Sequence, residues 1–170
     1  MTPRRTPQRL KWVGLFASVW TALIFTPTDV FAEDIELARY GGRAGSSIDP
    51  DQLVLGAYAG LGELTTDLQL RPSFDIGFGD HLFSAILNAD IQYFYQVEGL
   101  RPRTYGGLGL GIGYYNFESG SADNSTTEVG LNLFQGAEWN LGNYRTTHVE
   151  LRFGIDELPD IKLIGGIGLY

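Results

Sequence analysis

The strongest constraint on how this chain can fold is where its strand-borne charges fall. Between Asp80 and Gln96, the residues Phe83, Ala85, Leu87, Ala89, Ile91, Tyr93 and Tyr95 alternate with Ser84, Ile86, Asn88, Asp90, Gln92 and Phe94. The same period of two runs through residues 68–78, 127–141 and 148–155. That period belongs to a β-strand with two unlike faces. Arg71, Asp75, Asp90, Arg103, Glu128, Glu138, Glu150 and Arg152 all share the phase of the small and polar residues. None takes the phase of the Leu, Ile, Phe, Tyr and Trp side chains. Arg39, Arg43 and Lys162 join the polar set when the first and last strands are phased to match it.

Turn-forming residues interrupt these runs at 45–51, 63–67, 79–81, 97–102, 118–125, 141–145 and 156–160. Such clusters of Gly, Pro, Asn, Asp and Ser punctuate strands. They leave eight strands, at 36–45, 52–62, 68–78, 82–96, 103–117, 126–140, 146–155 and 161–169. No connection is long enough to carry a helix, so the strands run up and down and pair antiparallel. Eight such strands with nothing to cover an edge close most readily into a barrel.

The charges then orient the barrel. A soluble barrel is polar outside, whereas a transmembrane one is apolar outside and polar within. A cation on the lipid face at mid-bilayer costs roughly 2–4 kcal/mol. The charged phase is therefore the lumen and the greasy phase faces lipid. Six cations and five anions on that phase are nearly balanced, which points to pairing. A soluble lipocalin-like barrel would need a hydrophilic exterior, which this distribution denies. The expected fold is an all-β, eight-stranded antiparallel up-and-down transmembrane β-barrel.

The stretch GGLGLGIGYYNF, residues 106–117, superficially suggests a phosphate-binding loop. A dinucleotide fingerprint needs a helix after its glycines, and here the strand continues. Gly107, Gly109, Gly111 and Gly113 fall on the lumen phase, where they leave room for inward bulk such as Tyr58, Phe94 and Phe134. An eight-stranded interior is just wide enough to be filled by side chains, so a plugged core is expected.

The first 32 residues read differently. Arg4, Arg5, Arg9 and Lys11 precede an apolar run, Trp12–Phe25, which is shorter than the ~20 residues of a membrane-spanning helix. Val30-Phe31-Ala32 supplies a small-residue cleavage pattern. Residues 1–32 are thus expected to be a secretory signal peptide, and 33–170 the barrel. Thr6-Pro7-Gln8 after the paired arginines does not suit twin-arginine export. Removing the peptide takes four of the 12 Lys/Arg and one of the 20 Asp/Glu, leaving a net charge of −11. That excludes nucleic acid as a partner. Cysteine is absent, so neither disulfides nor thiol chemistry are available, and no metal or cofactor is expected.

The segments QLVLGAYAGLG, LQLRPSFDIGFGD, LNADIQYFY, GGLGLGIGYYNF and the terminal DIKLIGGIGLY together resemble the small eight-stranded outer-membrane barrels of the OmpA-like and OmpX-like kind, from Glu36 to Tyr170. The resemblance implies a cell outer membrane location in a Gram-negative envelope. It also implies contact with outer-membrane lipid and lipopolysaccharide, and recognition by the barrel assembly machinery through a last strand ending on an aromatic residue, Tyr170. Tyr170 is out of step with the apolar series Ile161, Leu163, Ile167 and Leu169, and Gly168 stands where a large residue is favoured. With eight strands both termini lie on one side, which is the periplasm for such barrels. No peptidoglycan-binding domain is expected, and closure permits a monomer.

The functional reading is a non-enzymatic integral barrel serving envelope structure or surface interaction. One alternative is a small-solute channel, which requires the inner ion pairs to rearrange. Another is a lipid A-modifying enzyme, for which the histidines are His81, near Ser84, and His148, near Glu150. The outer turns are acidic, with Asp156, Glu157 and Asp160 as candidate ligands for divalent cations.

Overall fold

The computed structural model describes residues 36–65, 67–119, 122–156 and 158–170. The expected signal peptide, residues 1–32, lies outside them. Among the described residues the chain forms eight strands: β1 (Leu37–Ile48), β2 (Gln52–Thr65), β3 (Leu68–Gly79), β4 (Leu82–Tyr95), β5 (Arg103–Ser119), β6 (Ala122–Gly142), β7 (Arg145–Ile155) and β8 (Ile161–Leu169). Each pairs antiparallel with its neighbour in sequence, and β1 pairs with β8 from Tyr40↔Leu169 to Ile48↔Ile161, which closes the sheet into a barrel. Closure gives β1 and β8 the partners that the edges of an open sheet would lack.

Alternation makes the two faces. On β4, Ser84, Ile86, Asn88, Asp90, Gln92 and Phe94 are buried, whereas Leu87, Ile91 and Tyr93 are exposed. Leu53, Leu55, Leu110, Leu131 and Leu163 continue the exposed belt on other strands. The buried set is dominated by Arg, Asp, Glu, Gln, Asn and Ser, inverting the polarity of a soluble domain. This inversion defines a transmembrane barrel, because hydrocarbon accepts the belt and excludes the charges.

Pro72 lies within β3 and has no N–H to donate. The β2–β3 ladder runs to Tyr58↔Ser73 and resumes in the same register at Leu61↔Leu70, a gap that coincides with this proline. The β6–β7 hairpin turns through Asn143 and Tyr144, both at positive φ (51° and 59°). That conformation suits a two-residue turn matched to the twist of the strands.

The sequence-based strand bounds need correction at three places, the first being β2, which continues past residue 62 to Thr65. The polar residues 118–125 read as a loop, but β5 and β6 remain paired from Phe117↔Asn124 to Ser119↔Ala122. A hairpin reaching past the apolar belt needs only backbone pairing, so its polar side chains do not end the strand. Likewise β1 continues through Ser46, Ser47 and Ile48, held between β2 and β8.

The belt yields a direct test. Leu110 is 59% exposed near the middle of β5. Leu110→Arg should lower the free energy of unfolding from phospholipid vesicles by roughly 2–4 kcal/mol, with Leu110→Ala costing less. Equal urea midpoints for Leu110→Arg and wild type would contradict the lipid-facing assignment.

Candidate functional site

The lumen holds its charges in three groups. The end where β1 begins and β8 ends is termed proximal here, and the opposite end distal. At the centre are Arg71, Asp90, Glu150 and Arg152, all at most 2% exposed. They come from β3, β4 and β7, at positions where alternation turns each side chain inward. Arg152 donates to Asp90 through both terminal nitrogens, at 3.1 and 2.6 Å. It also donates to Glu150 Oε1 from Nε (3.3 Å) and Nη2 (3.0 Å). Arg71 donates to Glu150 Oε2 at 2.6 Å and lies 3.4 Å from Asp90. The Tyr105 hydroxyl adds a third donor to Glu150, at 3.1 Å. Two cations and two anions therefore neutralise one another through direct contacts.

Distally, Arg43 grips Asp75 with Nε and Nη2, each at 2.7 Å, and donates to Ser73 Oγ at 2.9 Å. Lys162 Nζ lies 3.6 Å from the same carboxylate. Beside this group Asn132 donates to Asn88 (3.0 Å), and further toward the distal end Ser84 donates to Gln52 (2.9 Å). Leu158, from the β7–β8 connection, then packs with Ile86 and Tyr115 across the distal mouth. Proximally, Arg39 pairs with Glu138 and donates to Gln92 Oε1 at 3.1 Å. Tyr170 donates to the other oxygen of Glu138 at 3.3 Å.

Aromatic rings fill the space between these groups. Phe94, Tyr105 and Phe134 form one cluster. The Arg71 and Arg152 guanidinium carbons lie 4.8 and 4.9 Å from the Phe134 centroid. At that range the ring face attracts a desolvated cation.

The glycines make this packing possible. A Cβ on Gly107 would strike the Phe134 ring, and one on Gly109 the Asp90 carboxylate. A Cβ on Gly111 would lie 2.8 Å from Leu158, and one on Gly113 2.7 Å from Tyr115. Each glycine of β5 thus faces a specific inward side chain. Gly168, out of place as a C-terminal strand residue, faces the Tyr58 hydroxyl and Thr146 in the same way.

Nine of the eleven charges expected in the lumen (Arg39, Arg43, Arg71, Asp75, Asp90, Glu138, Glu150, Arg152 and Lys162) are buried there. The other two lie at its ends. Arg103 is 44% exposed at the proximal rim, where it pairs with Asp67 at 3.1 Å and stacks over Phe94 at 3.8 Å. As the first residue of β5 it lies at the end of the lumen, capping Phe94, and remains in water. Glu128 is half-buried at the distal mouth and accepts from Thr126 at 3.3 Å. The uncharged partners Ser73, Asn88, Gln92, Tyr105 and Asn132 were not singled out by sequence reasoning. Their inward phase was the available signal.

The histidines do not assemble a catalytic set. His81 is in an exposed turn with its Nδ1 2.8 Å from Asp80, while Ser84 is buried and bonded to Gln52. His148 is buried edge-on against Tyr58, with centroids 5.2 Å apart. No group of three or more His or acidic side chains with metal-binding geometry occurs among the described residues. Glu157, one of the candidate cation ligands, lies outside them.

A closed eight-stranded barrel with an apolar outside and an ion-paired inside has the architecture of the small outer-membrane barrels. Among solved structures, the chain is similar to the N-terminal β-barrel domain of Pseudomonas aeruginosa OprF. The TM-score is 0.66 at 16% identity, over 77% of this chain and 94% of that one. It is also similar to Neisserial surface protein A, with a TM-score of 0.59 at 12% identity over the same shares. At these identities the likeness concerns the fold. No family model matches the chain. No curated protein matches it either.

Two predictions follow from this packing. Gly109→Val should prevent the central charges from assembling and abolish the heat-modifiable folded band. Gly42→Val, where nothing stands within 4 Å of the added Cβ, should leave it intact. Glu150→Gln leaves Arg71 and Arg152 sharing one carboxylate and should cost about 3–5 kcal/mol in urea unfolding. Removing the Arg71–Glu150 pair together as Arg71→Leu/Glu150→Leu keeps the Asp90–Arg152 pair and should cost less than the single change.

Proposed function

We propose that the chain is an integral protein of the outer membrane whose lumen is closed by its own side chains, and that it serves envelope structure or surface interaction without catalysing a reaction. The observation that carries this reading is the central group, Arg71, Asp90, Glu150 and Arg152. Every one of its carboxylate oxygens accepts a hydrogen bond at 3.4 Å or less. An ion or solute crossing the barrel would have to separate these pairs, and uncovering a buried charge is costly. Arg43–Asp75 on one side and Arg39–Glu138 on the other add two further barriers of the same kind.

In this reading residues 1–32 direct export, the proximal end faces the periplasm, and the barrel works as a monomer. The belt meets outer-membrane lipid, and lipopolysaccharide surrounds the distal end. The β8 strand ending at Tyr170 is the segment offered to the assembly machinery. Tyr170 turns inward toward Glu138, so Leu169 and Ile167 present the apolar face of that strand.

Planar-bilayer recording is the decisive experiment. The refolded wild-type barrel should give no steady conductance, and steady open-channel current would overturn the closed-lumen reading. In cells the protein should fractionate with the outer membrane and change mobility on boiling. Recovery in the soluble periplasm with unchanged mobility would overturn the membrane reading. Expression should leave the lipid A mass spectrum unaltered.

A further inference from the structure

The β5–β6 hairpin outruns its neighbours at the distal end. Its two strands stay paired out to Ser119↔Ala122. The β4–β5 ladder reaches Leu82↔Phe117, whereas the β6–β7 ladder stops earlier, at Leu131↔Ile155. β5 is therefore covered almost to its tip, and the uncovered edge belongs to β6. Among the described residues no strand lies against β6 between Asn124 and Val129 on the side away from β5.

The reason lies at the end of β7. Asp156, just past Ile155, has a φ of 69° and turns the chain. Leu158 then enters the mouth and packs with Ile86 and Tyr115. The Gly154 N–H donates to the Asp160 carbonyl (3.0 Å) and the Asp160 N–H to the Asp49 carbonyl (3.2 Å), which ties this connection to the β1–β2 turn. The chain leaving β7 is thus drawn across the mouth while β6 continues without it.

A bare strand edge presents N–H and C=O groups from alternate residues, and natural edges are commonly blunted by lysine, proline or a bulge. This edge has none of these. Asn124-Ser125-Thr126-Thr127-Glu128-Val129 contains no lysine or proline, and its pairing with β5 runs without a register shift. Thr and Val favour the extended conformation. Asn124, Ser125, Thr127 and Val129 are exposed, and Thr126 and Glu128 half-buried, so the stretch is open to a partner. An extended peptide adds to such an edge through main-chain hydrogen bonds, and its alternate side chains supply specificity.

Charge says which peptide. Of the Lys/Arg residues after residue 32, Arg39, Arg43, Arg71, Arg152 and Lys162 are buried in the lumen. Arg101, Arg103 and Arg145 lie at the proximal end. The distal rim therefore carries acids with no lysine or arginine to meet them. A recess of about 290 Å³ beside Glu128 gathers the exposed Asp49, Asp156 and Asp160, with Tyr115 and Phe117 in its wall. Carboxylates and ring faces both attract a cation. A strand added to β6 continues the lane of β7, and its inward side chains share the phase of Glu128 and reach this recess. A second copy of the chain would bring the same acidic rim against this one, so charge disfavours self-pairing.

We propose that the β6 edge, residues 124–129, takes up an extended basic peptide segment as an added strand, with a Lys or Arg of that segment seated in the recess among Asp49, Glu128, Asp156 and Asp160. The inference rests on the surface-interaction part of the reading above and gives that interaction a partner class. It is tested on the folded barrel in detergent micelles, so its failure would leave fractionation and conductance as they stand.

The probe is the capped peptide Ac-TKVTVKVT-NH2, whose lysines share one face when extended. Ac-TEVTVEVT-NH2 reverses the charge, and Ac-TKPTVKPT-NH2 keeps the charge but lacks the N–H groups of a strand. In titration calorimetry the first should bind with Kd of about 0.1 mM or tighter. Each control should be weaker by about tenfold or more, one through like-charge repulsion and the other through lost main-chain hydrogen bonds. Amide exchange followed by NMR should slow at alternate residues of 124–129 when the lysine peptide binds. Asp156→Asn/Asp160→Asn should weaken that peptide about tenfold, with the heat-modifiable band confirming that the variant is folded. No binding at about 1 mM, ten times that Kd, would overturn the proposal. So would equal binding of the proline peptide, or binding without slowed exchange on β6, because either marks attraction to the rim by charge alone. Undiminished binding in the folded double variant would refute the recess as the seat of the basic side chain. Dimerisation of the barrel through this edge without peptide would assign it to a second copy and end the peptide reading.

Discussion

The rest of the structure depends on the mutual neutralisation of Arg71, Asp90, Glu150 and Arg152 on the barrel axis. None of the four could be held in a low-dielectric interior alone, because removing an unpaired ion from water costs several kcal/mol. Together they satisfy one another through bonds of 2.6–3.4 Å contributed by three strands. Arg71 and Asp90 are register partners on adjacent strands. Glu150 and Arg152 reach them from β7, across the lumen. A one-residue slip of β4 against β3 or of β7 against β8 would turn its charges into lipid and its leucines inward. The ion pairs therefore specify register and closure together, and the apolar belt reinforces the same choice from outside.

The glycines of β5 belong to this arrangement. Their bare backbone is where Asp90, Phe134, Leu158 and Tyr115 have space to lie. A narrow cylinder cannot hold a full set of inward side chains from all eight strands at one height. This one alternates absent side chains on β5 with long ones from its neighbours. The packing is thus complementary across strands, and the Tyr105 and Phe134 rings supply faces against which the guanidinium groups rest.

The two ends differ in chemistry. The distal mouth is covered by Leu158, with Asp49, Glu128, Asp156 and Asp160 around a recess beside it. The proximal mouth is open and bordered by Phe94 and Tyr170. The centre accounts for the stability of the cylinder.

Alternation and the phase of the charges were legible in the sequence, and with them the all-β class, the eight strands and the inside-out polarity. These properties are local, since a period of two assigns each side chain to a face before any strand meets another. The tertiary structure alone decided which charges meet. Arg39 and Glu138, or Arg71 and Glu150, are far apart in sequence and come together only when the cylinder closes. Position along the axis was equally invisible, so Arg103 and Glu128 shared the inward phase but came to rest at the rims, where water reaches them. The polar 118–125 hairpin read as loop because composition does not record backbone pairing beyond the bilayer. The open proximal recess depends on all these distances at once, which is why sequence reasoning set the polarity of the barrel and closure alone assembled its sites.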